Sequence, residues 1–278
     1  MHQVSVPLDV PKNFMNQYIQ HYTLLTRETE NLFFAVFDHG IEHLDGTNPE
    51  GVFKLASQNV GALVAPLGLI AKYAHGYRSV PYIVKITGKT NLIPVIEQDP
   101  CSVVLQSVSD VMRFKQESQL LICGVAVTIY PGSIFESQML HNAAQSIFNA
   151  HQNGLIAGLW VYPRGHLIKE EESPELLAGA VSLANSLGAD FVKIKLPLQN
   201  EEQSFVSACK KIVAAAGKTK IIFAGGDLLS KEQFLVTLQK TKEAGFSGVA
   251  VGRNLFLRPL CEAQEMCSDI AALIYKKE

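Results

Sequence analysis

Eight short runs rich in Val, Ile, Leu and Phe recur along the 278 residues, each followed by a stretch with helical spacing, and this repetition limits the fold more than any other feature. The runs are Leu32 to Asp38, Val60 to Ala65, Tyr82 to Ile86, Leu121 to Thr128, Leu155 to Tyr162, Ala189 to Lys195, Lys220 to Ala224 and Ser247 to Val251. Repeated βα units build either an open doubly wound sheet or a closed barrel, and eight is the number that closes. The stretches between carry helix punctuation. Ser173-Pro174-Glu175 reads as an N-cap with proline in the first turn, Ser230-x-x-Gln233 as a capping box, and Gly188 and Gly245 as glycines ending helices just before strands. No proline-rich or Gly/Ser-rich linker divides the chain. The pattern predicts an α/β fold, a single (β/α)8 TIM barrel over 1–278, with residues 1–30 capping the barrel floor or contributing to an interface.

The polar residues favour the barrel over the open sheet. Asp38 and His39, Lys85, Thr128 and Tyr130, Tyr162 and Arg164, Lys193 and Lys195, Gly225-Gly226 and Gly252-Arg253 all fall at the carboxyl ends of the runs, where barrel enzymes assemble their sites. Side chains alternate along a strand, so Trp160, Tyr162 and Arg164 share one face while Leu159 and Val161 take the other. Lys193 and Lys195 likewise point away from Val192, Ile194 and Leu196, and the same parity joins Phe34, Val36 and Asp38, and Ile83 with Lys85. A carboxylate, a phenol and several amines converge on one mouth.

That set suits carbon–carbon bond chemistry through an imine. Lys193 would replace a carbonyl oxygen, and the iminium would accept the electrons of the breaking bond. An amine of pKa roughly 10.4 must fall by about three units for this at neutral pH, and Lys195 or Lys85, with an apolar wall, would supply the shift. Tyr162 and Asp38 are the available proton shuttles. The alternative is a structural interior lysine paired with Asp38 or Asp190. The glycine pairs Gly225-Gly226 and Gly252 with Arg253, each just after one of the last two strands, predict a phosphate site; taken singly, each is also a tight turn. His39, Lys85 and Lys195 are the further substrate-binding candidates at this mouth.

Other classes find less support. A formal charge of -2 with scattered lysines gives no nucleic-acid face, and no apolar run is long enough to cross a bilayer. The five cysteines are odd in number and form no C-x-x-C pair, which predicts a reducing compartment, and the amino terminus lacks a basic segment followed by an apolar core; a cytoplasmic protein is expected. His39-Gly40-Ile41-Glu42-His43 matches the inverted zinc-protease pattern. Zinc binding needs both histidines on one helical turn, whereas this motif follows a strand at once and continues with a glycine, so no metal is expected.

The ordered motifs match a known family. Phe37-Asp38-His39-Gly40, Lys85-Ile86-Thr87-Gly88-Lys89-Thr90, Thr128-Ile129-Tyr130-Pro131-Gly132-Ser133, Trp160-Val161-Tyr162-Pro163-Arg164-Gly165, Ala189 to Lys195, Ala224-Gly225-Gly226 and Gly252-Arg253-Asn254 together resemble class I, Schiff-base fructose-bisphosphate aldolases of the archaeal type, in the group that includes deoxyribose-phosphate aldolase. The resemblance runs from about Phe34 to Phe256. It implies reversible cleavage of fructose 1,6-bisphosphate to dihydroxyacetone phosphate and glyceraldehyde 3-phosphate, in glycolysis or gluconeogenesis, with no cofactor beyond the covalent imine on Lys193 and no metal. By the same resemblance Tyr162 is the principal acid/base, and Asp38 acts on the hydroxyl whose oxygen becomes the aldehyde. Trp160 and Arg164 line the substrate channel, Gly225, Gly226, Gly252 and Arg253 hold the dihydroxyacetone phosphate end, and the chain is a homo-oligomer. Two departures stand out: relatives often carry proline and lysine where this chain has Asp227 and Leu228, and some carry serine at Ala224. An aspartate near a phosphate is unfavourable unless it faces away.

Three other functions compete: a transaldolase-like sugar-phosphate synthase of aromatic biosynthesis, a metallohydrolase using His39, Glu42 and His43, and a non-catalytic phosphosugar-binding barrel. Release of free trioses separates the first from the aldolase, and a chelator separates the second. The third has no need of Asp38, Tyr162 and Lys193 together. The amphipathic stretch Leu260 to Tyr275 is read as a surface for packing on a neighbour.

Overall fold

The computed structural model describes residues 4–38, 48–90, 99–198 and 202–276, the side chains of 202 and 203 excepted. Eight parallel strands close into a barrel: β1 Leu32–Val36, β2 Ala62–Pro66, β3 Tyr82–Lys85, β4 Ile122–Ile129, β5 Ile156–Val161, β6 Phe191–Ile194, β7 Lys220–Ala224 and β8 Gly248–Val251. Each lies in one of the expected runs, with ends moved by one or two residues. Asp38, Tyr162 and Lys195, expected inside strands, stand just beyond them, where the backbone turns toward the mouth. The barrel closes where β1 meets β8, from Leu32 opposite Gly248 to Ala35 opposite Val251.

Helices follow the strands in turn, including Pro49–Ala56, Val108–Ser118, Glu136–Gln152, Pro174–Ser186 and Lys231–Glu243. The Ser173 hydroxyl accepts from Leu176 N at 3.3 Å. Ser230 and Gln233 exchange side-chain and backbone bonds as a capping box, and Gly188 and Gly245 end their helices in the left-handed region.

Alternation along the strands sorts the apolar residues into two layers. Phe33, Ala35, Val84, Val127, Leu159, Val161, Val192, Ile194 and Val249 pack outward with the helices. Phe34, Val64, Ile83, Ala126, Ile156, Trp160, Phe191, Ile222 and Ala250 fill the barrel. Gly158 on β5 pairs in register with Phe191, and a Cβ there would stand 2.2 Å from the ring, so the missing side chain is the space the ring occupies. The carboxyl-terminal stretch forms the helix Leu260–Ile274. Its apolar face, Ala263, Met266, Cys267, Ile270 and Ile274, is buried within the chain itself, contacting β1 and the helices Pro49–Ala56 and Lys231–Glu243. The stripe expected to meet a neighbour is therefore consumed by the barrel's own outer layer.

At the amino-terminal end of the barrel, helix Met15–Thr26 contacts β1, β4 and β5. A polar cluster ties it down. Asp190, just before β6, accepts hydrogen bonds from the Tyr18 hydroxyl, from Ala157 N at 2.7 Å and from His151 Nε2 at 3.1 Å. The other face of fully buried His151 meets Asp9 at 2.8 Å. Beside it, His21 bonds to the Gly154 carbonyl at 2.7 Å and receives Lys115 Nζ at 2.9 Å. All five cysteines are free thiols, and among the described residues no helix is long and apolar enough to cross a membrane.

The two floor histidines titrate in opposite senses. Burial alone would push His151 down, but Asp190 and Asp9 outweigh it and raise it to about 9. The folded chain then holds a proton that the unfolded chain, with pKa about 6.5, gives up first, so this stabilisation is complete below about 6.5 and disappears as pH rises through 9. Burial and the Lys115 charge lower His21 to about 4, so stability from this site is lost as pH falls from about 6.5 to 4. Denaturant unfolding across pH 4 to 9 should show an alkaline limb of at most about 1.4 kcal/mol per pH unit per proton. His151→Gln should flatten that limb and leave the acid limb in place.

Candidate active site

Strand β6 carries the centre of the site. Phe191 fills the interior, and Lys193, two residues further along the same face, is 8% exposed with Nζ 5.3 Å from the centroid of the Trp160 ring. Trp160 is its register partner on β5, and Phe34 and Trp160 pack on Phe191 with ring centroids 5.1 and 5.8 Å away. The lysine thus stands on an aromatic floor. The buried Trp160 Nε1 has no hydrogen-bond partner among the described residues. Asp190, one of the two carboxylates weighed as structural partners for Lys193, is engaged three residues earlier at the barrel floor. Asp38 is 7% exposed just past β1. Lys85 is fully buried and donates to the Thr87 carbonyl at 3.1 Å, while the Thr87 hydroxyl accepts from Thr128 N at 2.8 Å.

The loops after β4 and β5 meet over this centre. The Tyr130 and Tyr162 rings stack 6.4 Å apart at 29°, and the Arg164 guanidinium lies 5.7 Å from each centroid. Arg164 is held by a fork onto Glu171, at 2.5 Å from Nε and 2.8 Å from Nη2. Glu171 also receives Lys195 Nζ at 3.0 Å, and Glu172 takes the same ammonium at 3.0 Å. Burial opposes the charge of Lys195, but the two glutamates prevail and raise its pKa. Lys195, named with Lys85 as a cation to lower the Lys193 pKa, has its charge matched by these two carboxylates. Arg164 N donates to the Pro131 carbonyl at 2.8 Å, and a Cβ on Gly165 would come within 2.1 Å of the Gly132 carbonyl oxygen. Asp99 fastens the same loops, accepting from Ile134 N at 2.9 Å and His166 N at 2.8 Å; these bonds and the His166 ring hold its carboxyl below the usual range.

At the ends of β7 and β8 the expected phosphate residues divide. Gly225 N donates to the Ala250 carbonyl at 2.9 Å, which commits it to the ladder. Gly226 has φ +69°, with nothing within 4 Å of where a Cβ would stand, and its amide donates to no acceptor among the described residues. Gly252 precedes the turn Arg253–Phe256. Arg253 Nη1 lies 2.6 Å from Asp227 Oδ1, so the aspartate turns toward the arginine. Buried Asn254 fixes the loop: Nδ2 donates to the carbonyls of Gly225 at 2.9 Å and Asp227 at 2.7 Å, and Oδ1 accepts from Leu229 N at 2.9 Å.

His39 and the whole His39-x-x-Glu42-His43 motif lie outside the described residues. Among the described residues no group of three metal-ligating side chains gathers. The sequence reading missed Glu171, Glu172, Asp99 and Asn254. The acidic run Glu170 to Glu172 reads locally as a solvated approach to the Ser173 cap, and only the barrel register shows what it faces. Asn254 had a signal, since it follows Gly252-Arg253 at a place where a buried amide ties two loops.

A family model described as DeoC/LacD family aldolase matches residues 33–258. A protein of Methanocaldococcus jannaschii named fructose-bisphosphate aldolase/6-deoxy-5-ketofructose 1-phosphate synthase is 41% identical, covering 97% of this chain and 90% of its own length. The solved fructose-bisphosphate aldolase of Slackia heliotrinireducens superposes with a TM-score of 0.94 at 36% identity, over 98% of this chain and 90% of that one. An archaeal fructose-1,6-bisphosphate aldolase, solved with its catalytic lysine covalently bound to the carbinolamine intermediate, has a TM-score of 0.79 at 31% identity, over 93% of this chain and 100% of that one.

Replacing Asn254 by Ala leaves two partly buried carbonyls and one partly buried amide without their partner, and since water reaches these groups the total cost is roughly 1–3 kcal/mol. Asn254→Ala should lower the melting temperature by several degrees, read by calorimetry. A melting point equal to that of the parent chain would show that the loop is held by other means.

Proposed function

The chain belongs to the DeoC/LacD family of aldolases, and we propose that it is a metal-independent class I aldolase that cleaves fructose 1,6-bisphosphate through an imine on Lys193. The observation that carries this is a nearly buried lysine on an aromatic floor, inside a barrel whose mouth brings a carboxylate, a phenol and an arginine to the same end. The Lys193 amine adds to the ketose carbonyl, and loss of water from the carbinolamine gives the iminium. Asp38 takes the proton of the hydroxyl on the far side of the scissile bond. That oxygen becomes the aldehyde of glyceraldehyde 3-phosphate, while the bonding pair moves to the iminium and leaves an enamine. Tyr162, held by Tyr130 and Arg164, returns a proton to the enamine carbon. Water then releases dihydroxyacetone phosphate and the free amine. The iminium is the electron sink, so no step calls for a metal.

Trp160 and Arg164 line the path of the sugar, with Lys85, Lys195 and His39 as further substrate contacts. The Gly226 amide, Gly252 and Arg253 receive the phosphate of the triose that stays on the enzyme. Gly225 supports them through its ladder bond. We propose further that the chain works as one barrel domain with residues 1–30 closing its floor, as a homo-oligomer in the cytoplasm; free thiols throughout suit a reducing compartment. The double name of the Methanocaldococcus jannaschii relative favours a second reading, a synthase that passes its bound fragment to another acceptor without releasing trioses.

Borohydride treatment with dihydroxyacetone phosphate, in chelator, should leave a substrate-dependent adduct on the peptide carrying Lys193, read by mass spectrometry. Lys193→Met should lose the adduct and lower turnover by roughly 10³-fold or more. Tyr162→Phe should keep the adduct and lower turnover by about 10²- to 10⁴-fold. Absence of any adduct despite binding of the triose phosphate would remove the imine mechanism. Transfer to a second sugar with no free glyceraldehyde 3-phosphate would move the assignment to the synthase.

A further inference from the structure

The cation assigned above to the phosphate already has an anion. Arg253 and Asp227 stand on separate connections, after β8 and β7, and meet at 2.6 Å. Their freedom differs. The backbone on both sides is pinned through Asn254, whose amide grips the Asp227 carbonyl itself. The Asp227 side chain is 85% exposed against 32% for Arg253, so the pair joins a half-covered cation to a carboxylate that reaches solvent from a fixed Cα. Beside them stands Gly226, in the left-handed region at φ +69°, with open space where a Cβ would stand.

A carboxylate and a phosphate use the same guanidinium donors, so Asp227 and a phosphate cannot both take the same face of Arg253. An exposed ion pair of this kind is weak enough to be exchanged. A phosphate dianion brings more charge than the carboxylate and can also accept from Gly226, whereas a neutral or weakly charged group gains too little to exchange. We propose that Asp227 is a built-in competitor for the substrate's phosphate group: it holds Arg253 before substrate arrives, yields to a dianion, and returns as the dianion leaves. Asp227 then acts through Arg253 and sets both the affinity of this end of the site and its preference for phosphorylated over unphosphorylated ketoses. The inference rests on the placement of the phosphate at Gly226 and Arg253 proposed above.

Calorimetric titration with inorganic phosphate at fixed ionic strength tests this without turnover. Asp227→Asn should tighten phosphate binding by about three- to fivefold, the scale of an exposed ion pair, and Asp227→Glu should restore the weaker binding of the parent chain. In an Arg253→Gln background the same Asp227→Asn change should shift affinity by less than about 1.5-fold, since the competed donor is gone. Equal affinity in the parent and Asp227→Asn overturns the proposal. So does the same tightening with and without Arg253, which would mark a diffuse charge effect, and so does a lack of phosphate binding in every variant. Borohydride trapping at Lys193, run in parallel, separates the two readings. An adduct with a flat titration series removes only the competitor, and a missing adduct removes the aldolase reading while the titration still decides the role of Asp227.

Discussion

A phenyl ring laid across the inside of the barrel is the constraint on which the site depends. Phe191 occupies the volume that Gly158 leaves empty on the neighbouring strand, and Phe34 and Trp160 close on it from either side. Small eight-stranded barrels have an interior just wide enough for side chains to fill, so one large ring must be matched by a missing side chain in its own layer. Lys193 is the next inward residue on β6. It therefore emerges above an apolar platform of set height, with Trp160 beside it in register. Strand β6 and its flanks run through the whole molecule in this way: Asp190 ties down the floor, Phe191 fills the centre, Lys193 stands over the Trp160 ring, and Lys195 joins the ion pairs of the mouth.

Much of this was legible in the sequence because it is local. Eight β-rich runs, two helix caps and two helix-ending glycines are written in neighbouring residues, and strand parity alone assigned Trp160, Phe34 and Lys193 to the inside. Partners were harder to read. Asp190 was weighed as a mate for Lys193, yet its bonds go to Tyr18 and His151, and the second carboxylate on His151 is Asp9, from the start of the chain. Such pairings are decided by which end of the barrel a residue occupies, and Asp190, three residues before Lys193, stands at the opposite end of β6. Glu171 was missed for a related reason. A run of three glutamates beside an N-cap has an adequate local explanation, and nothing nearby in sequence reveals that Arg164 and Lys195 converge on it.

The mouth is more nearly neutral than its list of cations implies. Arg164 and Lys195 share Glu171, Lys195 also meets Glu172, and Arg253 meets Asp227. These pairs differ in firmness. The Arg164 fork is bidentate and braced by two tyrosine rings, which makes it a rigid wall. The Arg253 pair rests on a single contact with an exposed partner, which leaves it open to exchange. The two ends of the mouth are thus built with different electrostatic stiffness.

The joint between the loops after β4 and β5 has a mechanical consequence. Gly165 sits against the Gly132 carbonyl, Arg164 bonds to Pro131, and Asp99 bonds to both loops at once. Neither contact glycine can be given a side chain without displacing the other loop, so the two loops behave mechanically as one piece, and a change felt by either is passed to its neighbour.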